Sequence, residues 1–314
     1  MKKRLIAVIL CMMMLVVLSA CGGAKMTLVT GSDTGTYYGY GSVLAQFVSE
    51  KTNTKVNAIT SNGSQQNIED VSAGEAQLGF AQSDVMSYAY AGTNLFSEAV
   101  TNFSVVAALF MEQVQIVTLN PEIKSVADLA GKNVSIGAPG SGVYFNAIDV
   151  LGVYGLTEKD ITPVYQNFTD SVDSLTDGKI DAAFIVAGAP TNAITSLTAG
   201  QSIYLVGLDK EHTDALIASS PYYSAYTIPA SVYNTPEDCS TVAVGAVLIV
   251  RDDASESAVY DIVSTIFNNV SDITAAHAKG GELSLEFASS ITDVPYHAGA
   301  AKYFAEKGIT VPVK

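Results

Sequence analysis

Short apolar runs alternate with stretches of helical spacing along most of this chain, and this alternation limits its fold more than any other feature. The runs predict strands at 27–30, 55–59, 77–81, 105–110, 115–119, 133–137, 181–187 and 202–207. Helical spacing predicts helices over 38–49 and 65–73, and a late helix whose apolar face carries Val259, Ile262, Val263, Ile266, Phe267 and Val270. Strands that alternate with helices build mostly parallel sheets, covered by helices on both faces. Because 314 residues are enough for two cores, we predict an α/β protein of two lobes.

The first twenty residues have the pattern of a targeting segment. Lys2, Lys3 and Arg4 precede an apolar run that is short for a membrane span. The letters "LSAC" then place small residues before Cys21, which matches the lipobox of a lipoprotein signal. We therefore predict a signal peptide at 1–20, diacylation of Cys21 and a lipid-anchored tether at 21–26. Two acyl chains are enough for stable anchoring, so we expect an extracytoplasmic protein on the cell membrane.

The acidic charge argues against binding to nucleic acid or anionic lipid, and the few cysteines argue against an internal disulfide. The formal net charge is −15, and removal of the basic signal segment makes it −18. Such a surface disfavours nucleic acid and offers no polybasic hold on anionic lipid. Cys239 stands alone once Cys11 leaves with the signal and Cys21 carries lipid, so we expect no internal disulfide.

Five predicted turns combine small residues with hydroxyl or amide side chains. They are "GSDTGTYYG" (31–39), "TSNGSQQN" (60–67), "FAQSDV" (80–85), "GAPGSGVYFN" (137–146) and "AGAPTNA" (187–193). In open α/β sheets, ligands bind beyond the carboxyl ends of the strands, where helices begin. The first turn of a helix leaves backbone N–H groups unpaired, and the helix dipole favours negative charge there. Each turn alone also fits an ordinary helix cap, but five in one chain favour a shared cleft for a small polar or anionic solute.

The sequence lacks the motifs of several enzyme classes. It contains no G-x-x-x-x-G-K-[ST] phosphate loop and no G-x-S-x-G elbow, and its first glycine-rich turn does not read G-x-G-x-x-G. His212, His277 and His297 stand apart in unlike contexts, which argues against a catalytic triad and against a histidine metal site. We therefore predict a receptor and not an enzyme, with no metal, no cofactor and no catalytic residue.

Several segments occur in the order that one protein family shows. They are "GTYYGYG", "SNGSQQNIEDVSAGEAQLGFAQSDV", "IKSVADLAGKNVSIGAPGSG", "DGKIDAAFIVAGAPT" and "YHAGAAKYFAEKG". Through them the chain after residue 26 resembles the solute receptors of tripartite ATP-independent periplasmic (TRAP) transporters, TAXI subfamily. The resemblance implies a two-lobed periplasmic-binding-protein fold, type II-like, with a hinge and a ligand cleft between the lobes. We expect lobe one at 27–113 plus 220–314, and lobe two at 114–219.

The resemblance also implies a function and partners. The protein would capture a small polar or anionic solute, a C5 dicarboxylate or a glutamate-like compound. It would deliver this solute to ion-coupled TRAP membrane subunits, and we expect a fused large subunit as the partner. We expect the receptor itself to be a monomer.

Ligand-binding positions follow from the same resemblance. They are Thr34, Thr36, Tyr37, Ser61, Asn62, Gly63, Ser64, Gln82, Ser83 and Asp84 from lobe one, and Ser141, Gly142, Val143, Gly188, Pro190 and Thr191 from lobe two. The family often reads T-G-G-S where this chain has "TSNGS", so Asn62 adds an amide and removes backbone freedom. The five turns contain no Arg or Lys, and Arg251 is the single arginine after the signal. A bound anion would therefore depend on helix N-termini and hydroxyl groups.

Four of these residues carry a more detailed expectation. Thr36, Ser64 and Ser141 would bind carboxylate oxygens together with backbone N–H groups at three helix starts. Two roles for Asp84 stay open. An ionised Asp84 in the cleft would pair with the ammonium of an amino acid, whereas an Asp84 that caps its own helix makes no such demand on the ligand.

Two alternatives belong to other classes of protein. A substrate-binding lipoprotein of an ABC importer would keep the same lobes and lipid. Neighbouring genes would separate the two, because an ATPase favours ABC and a large fused membrane subunit favours TRAP. An enzyme on the same two-lobed fold, such as porphobilinogen deaminase, needs a cofactor-bearing cysteine and several arginines in its cleft, and the predicted cleft turns contain neither.

Overall fold

A computed structural model describes residues 24–314, so the predicted signal peptide and the first half of the 21–26 tether, including Cys21, lie outside the described residues. The strands are β1 (Lys25–Val29), β2 (Lys55–Ile59), β3 (Leu78–Gln82), β4 (Phe103–Thr118), β5 (Asn133–Ser135), β6 (Thr162–Val164), β7 (Ala182–Ala187), β8 (Tyr204–Leu205), β9 (Ser224–Ile228) and β10 (Cys239–Arg251). The α-helices are α1 (Thr36–Lys51), α2 (Ser64–Ala73), α3 (Ser83–Ala91), α4 (Gly142–Val153), α5 (Phe168–Thr176), α6 (Asn192–Thr198), α7 (Lys210–Ser219), α8 (Glu256–Asn268), α9 (Val270–Ala276), α10 (Leu285–Ala288) and α11 (Ala298–Glu306). Within this part of the chain, no helix combines the length and the apolar character needed to cross a bilayer.

One mixed sheet connects all ten of these strands. Its main order is β2-β1-β3-β10-β4-β7-β5-β6, with β8 paired to β4 and β9 to β10. The flanks are parallel, since β1 pairs with β2 and β3, and β5 pairs with β6 and β7. The centre is antiparallel, since β10 pairs with β3 and β4, and β4 pairs with β7. The α/β prediction is confirmed, whereas the expectation of mostly parallel pairing is wrong for the central strands.

Strand β4 runs without a break where the sequence predicts two strands, 105–110 and 115–119. The polar residues Glu112 and Gln113 interrupt the apolar pattern there, yet both are buried within the strand. Their side chains have partners that make this burial tolerable. Glu112 accepts a hydrogen bond from the Tyr37 hydroxyl, and Gln113 accepts one from the Ala189 N–H at 2.7 Å.

Separate apolar cores occupy the two lobes. The first gathers residues that lie mostly before 111 and after 245, including Tyr40, Phe80 and Phe304. The others gather residues between 114 and 244. Tyr223 and Ile228, which the predicted boundary assigns to lobe one, pack in these second-lobe cores. The lobe boundaries stay a prediction, and the packing favours a return to lobe one near residue 245 in place of 220.

Candidate functional site: a cleft between the lobes

A small cavity lies between the two lobes, next to the carboxyl ends of β1, β3 and β7 and the starts of α1, α2 and α4. This is the edge of an α/β sheet where ligands are expected. Its volume is about 40 Å³. Because roughly 10–15 Å³ admits one water molecule, the cleft in this arrangement suits a compact solute.

Ten of the sixteen predicted ligand-binding residues line this cavity. They are Thr36, Tyr37, Ser61, Asn62, Gly63, Ser64, Gln82, Ser141, Gly142 and Val143. The other six, Thr34, Ser83, Asp84, Gly188, Pro190 and Thr191, are absent from the lining. Ligand binding by any of the sixteen stays a prediction, but the structure brings the first ten together around one space.

Helix α2 of lobe one presents unpaired backbone donors to the cavity. It begins after Gly63, whose φ is +116°, a conformation that residues with a β-carbon rarely adopt. Glycine also supplies no side-chain cap. Among the described residues, the N–H groups of Ser64 and Gln65 have no hydrogen-bond partner. The start of α2 is therefore available to an anion.

Helix α4 of lobe two faces α2 across the cavity. Ser141 is its N-cap, and the Ser141 hydroxyl accepts the Tyr144 N–H at 3.4 Å. The N–H groups of Gly142 and Val143 have no partner within residues 24–314. A β-carbon at Gly142 would overlap Oε1 of Gln82 and lie 2.8 Å from Oγ of Ser64. Only glycine therefore lets the start of α4 approach lobe one this closely.

Glu112 is a lining residue that the sequence analysis missed. Its side chain is 2% exposed, and Oε2 accepts a hydrogen bond from the Tyr37 hydroxyl at 2.5 Å. Burial raises the pKa of Glu112 to about 8, while the Tyr37 hydrogen bond and Lys279 act in the opposite direction. Burial, together with Glu112, also raises the pKa of Tyr37. The available signal was a lone carboxylate inside a long apolar stretch.

A second missed group precedes α5. Gln166, Asn167 and Phe168 line the cavity from lobe two. Asn167 caps α5 by accepting the Asp170 N–H at 2.9 Å. The stretch "QNFTD" has the same amide and hydroxyl composition as the five turns that were singled out, so composition alone could have found it.

Asp84 lies behind the cavity and holds a side chain of the opposite lobe. It is fully buried, and its Oδ2 accepts a hydrogen bond from Nδ2 of Asn146 at 2.8 Å. Asn146 Nδ2 also donates to the Tyr223 hydroxyl at 2.7 Å, and Asn146 Oδ1 accepts from Nε2 of Gln82 at 2.9 Å. Burial raises the pKa of Asp84 to about 7, and the charge of Asp149 adds to the rise. We refer to the hydrogen bonds that join Asn146 to Gln82 and Asp84 as the inner contacts.

The two roles that the sequence leaves open for Asp84 stay predictions, and two observations bear on them. The N-cap of α3 is Gln82, and no side chain caps that helix. Asp84 is not among the described residues that line the cavity. Its hydrogen-bond partner Asn146 also bonds Gln82, which does line it, and burial together with the charge of Asp84 raises the pKa of Glu112.

The loop before α6 is fixed by hydrogen bonds on the side away from the cavity. The carbonyl of Gly188 accepts the Thr36 hydroxyl at 2.9 Å, which links the lobes. Pro190 follows a cis peptide bond, and the Thr191 N–H donates to the Tyr233 hydroxyl at 2.7 Å. These contacts give Gly188, Pro190 and Thr191 positions that support the wall of the cleft.

Thr34 and Ser83 also make contacts outside the cavity. Thr34 Oγ1 lies 3.1 Å from Oγ1 of Thr169, and Thr169 donates to Oδ1 of Asp33 at 2.9 Å. We refer to these hydrogen bonds of Thr169, on the solvent side of the cleft, as the outer contacts. Ser83 accepts the Gly245 N–H at 3.0 Å and so joins α3 to β10.

The cavity has no cationic side chain in its lining. A buried lysine, Lys279, lies beyond Gly188, and its ammonium is 2.5 Å from Oε1 of Glu282. Its charge is therefore matched by a carboxylate before any ligand arrives. Within residues 24–314, no group of three His, Cys, Asp or Glu residues is arranged to hold a metal ion.

Known proteins share this fold. A family model described as "NMT1-like family" matches residues 28–308. The alkanesulfonate-binding protein SsuA from Xanthomonas axonopodis pv. citri, bound to MOPS, is 15% identical, with 92% of each chain covered and a TM-score of 0.51. MatC from Rhodopseudomonas palustris with bound malate is 14% identical, with 82% of this chain and 89% of that chain covered and a TM-score of 0.58. The GluR0 ligand-binding core from Nostoc punctiforme with L-glutamate is 14% identical, with 82% and 100% covered and a TM-score of 0.50. The predicted two-lobed periplasmic-binding-protein fold is thereby confirmed.

Proposed function

The chain belongs to the NMT1-like family, and we propose that it is an extracytoplasmic solute receptor that hands a small polar or anionic solute to a membrane transporter. The observation that carries this proposal is the cavity between the lobes, which is lined by Ser64, Gly142 and Val143, whose N–H groups have no partner within residues 24–314. Helix starts with free donors stabilise a carboxylate without a basic side chain. The malate in MatC and the glutamate in GluR0 are carboxylates bound by proteins of the same fold.

Within this proposal the transporter is of the TRAP type and the receptor is of the TAXI subfamily. The support is the ordered set of segments from "GTYYGYG" to "YHAGAAKYFAEKG". An ABC importer is the alternative, because the structure of a putative L-cystine ABC transporter from Listeria monocytogenes has the same fold. The lipid anchor at Cys21 belongs to the proposal too, and loss of fatty-acid labelling in Cys21→Ser tests it.

A ligand screen tests the receptor function. The panel contains C5 and C4 dicarboxylates, their amino, hydroxy and keto forms, and the shorter trio of alanine, lactate and pyruvate, since the cavity is small. A ligand that binds only the folded protein stabilises it by about 2.7 kcal/mol at a hundredfold excess over Kd. We expect a rise in the unfolding temperature with at least one member. If none raises it while the protein unfolds cooperatively, the proposed ligand class is wrong.

A further inference from the structure

Glu112 is the one carboxylate that lines the cavity in the described part of the chain, and half of its hydrogen-bonding capacity is unused. Oε2 accepts the Tyr37 hydroxyl, but Oε1 has no partner among the described residues. The Tyr37 ring stacks on Phe80 with 4.8 Å between ring centroids, which holds the hydroxyl in place. Oε1 of Glu112 keeps some accessible surface, unlike the fully buried and unpaired Oε1 atoms of Gln82 and Gln166. A ligand in the cavity can therefore bring a hydrogen-bond donor to Oε1 of Glu112.

Ser64 lines the same cavity as Tyr37 and Glu112. Ser64 lowers the pKa of Tyr37, against the larger effects of burial and Glu112. Oγ of Ser64 also accepts the Gln82 N–H at 3.0 Å. The anion-favouring start of α2 and the carboxyl of Glu112 therefore line one cavity. An amino acid carries a carboxylate and an ammonium on one carbon, so it presents an acceptor to the first group and a donor to the second.

We propose that Glu112 is the specificity-determining residue of the cleft and selects solutes that carry a protonated amine beside their carboxylate. The amine donates to Oε1 of Glu112, while the carboxylate accepts from the helix starts at Ser64 and Gly142. This proposal rests on the proposed receptor function and names the class of its ligand. It moves the contact with the amine from Asp84, which does not line the cavity, to Glu112.

If the carboxyl of Glu112 instead acts as a hydrogen-bond donor, the opposite ligand preference is expected. A protonated Glu112 would donate to a carboxylate of the ligand, and a hydroxy or keto diacid would then bind as well as an amino acid. Glu112→Gln separates the two roles, because glutamine keeps the shape and an N–H donor but removes the negative charge. The exposed Glu98 provides a matched control on the same lobe, as Glu98→Gln.

Calorimetry on the full-length protein gives the decisive measurement. The ligands are matched trios, glutamate with 2-hydroxyglutarate and 2-oxoglutarate, and alanine with lactate and pyruvate. We expect Glu112→Gln to weaken the amino member by a hundredfold or more, since a buried ion that loses its partner is strongly destabilised. The hydroxy and keto members should change by less than about fivefold, and Glu98→Gln should change nothing. Equal effects on all three members would overturn the proposal.

The unaltered protein provides a second readout that does not depend on the variant's folding. With its pKa raised to about 8, Glu112 is mostly protonated at pH 7 before binding. An ammonium at Oε1 favours the ionised form, so binding of the amino member releases a proton to the buffer. Titrations in phosphate and in Tris should therefore differ in enthalpy for the amino member and agree for the hydroxy member.

Each remaining outcome counts for or against the proposal. Agreement between the two buffers for the amino member overturns it. If the hydroxy or keto members bind and the amino members do not, the inference fails while the receptor function stands. If no panel member binds the unaltered protein, the proposed ligand class fails and the inference falls with it.

Discussion

Among the hydrogen bonds that join the lobes, two sets of side-chain contacts differ mainly in how deeply they are buried. The inner contacts connect Asn146 to Gln82 and Asp84, all of which are at most 2% exposed. The outer contacts connect Thr169 to Asp33 and Thr34 where the cleft meets solvent. Both sets have donor–acceptor distances between 2.8 and 3.1 Å. Distance therefore does not tell which set holds the lobes together.

Burial determines how much each set of contacts contributes to stability. When an outer bond is lost, water replaces it at little cost, so its net value lies near the low end of roughly 0.5–1.5 kcal/mol. When an inner bond is lost, a buried amide or carboxylate is left without a partner. This costs about 1–3 kcal/mol or more in stability. We infer that the inner contacts govern closure of the cleft. The following experiments, in order of expected effect, test that comparison.

Gly142→Ala should have the largest effect, because it blocks the approach on which the inner contacts depend. The new methyl group would overlap Oε1 of Gln82. We expect open lobes that still fold and a loss of ligand affinity of a hundredfold or more, about 3 kcal/mol. Small-angle scattering with saturating ligand, which should leave the variant's radius unchanged, measures closure.

Gly152→Ala on the same helix is the control for this variant. Nothing lies within 4 Å of the added methyl group there. Alanine in a helix is favoured over glycine by up to about 1 kcal/mol, so this variant should be at least as stable and bind normally. If Gly142→Ala behaves like Gly152→Ala, the close approach of the lobes is not required for binding.

Asn146→Ala removes the centre of the inner contacts directly. Asp84 and Gln82 then lose their partner, and we expect the free energy of unfolding to fall by about 3 kcal/mol. Urea denaturation of the ligand-free protein measures this. A fall of less than about 1 kcal/mol would mean that the inner contacts are dispensable.

The buried carboxyls predict an unusual dependence of stability on pH. Their pKa values are raised, to about 7 for Asp84 and about 8 for Glu112, above the ordinary values of 3.8 and 4.5. Between these limits the folded protein binds more protons than the unfolded chain, so stability falls as the pH rises. Each group contributes at most about 1.4 kcal/mol per pH unit.

Denaturant midpoints at pH 5, 6, 7 and 8 test this sign. We expect the midpoint to fall over this range and Asp84→Asn to flatten its lower part. The burial of Glu112, the main cause of its raised pKa, still lowers the midpoint in the upper part. A midpoint that increases from pH 5 to pH 8 would contradict the raised pKa values and the depth assigned to the inner contacts.

The sequence predicts the lining that comes from helix starts and fails for the lining that comes from long-range contacts. Gly63, Ser64 and Gly142 follow from local composition, since each lies at the start of a helix or directly before it. Glu112 lies inside a strand, and its partner Tyr37 is 75 positions away in the sequence. Local spacing carries no information about such a pair.

The fold follows the same division. The predicted strands and the helices over 38–49 and 65–73 are local patterns, and they agree with observed elements within a few residues, apart from the two strands that merge into β4. Strands β6 and β9 were not predicted, and the lobe boundaries stay a prediction. The antiparallel centre of the sheet depends on where β10 returns, which is a choice among distant partners. Asn146 was likewise invisible as an inner contact, because an asparagine on a predicted helix is usually a solvent-exposed or capping residue.

Thr169→Val should have the smallest effect and completes the comparison. Valine keeps the shape of threonine and removes the hydroxyl that donates to Asp33 and meets Thr34. Water reaches both partners, so we expect a change of less than about 0.5 kcal/mol in the free energy of unfolding, as for ordinary surface substitutions. Ligand affinity should stay within about twofold, which is near 0.4 kcal/mol. Calorimetry and urea denaturation beside Asn146→Ala measure both quantities. A larger loss for Thr169→Val than for Asn146→Ala would reverse the assignment and make the outer contacts the ones that close the cleft.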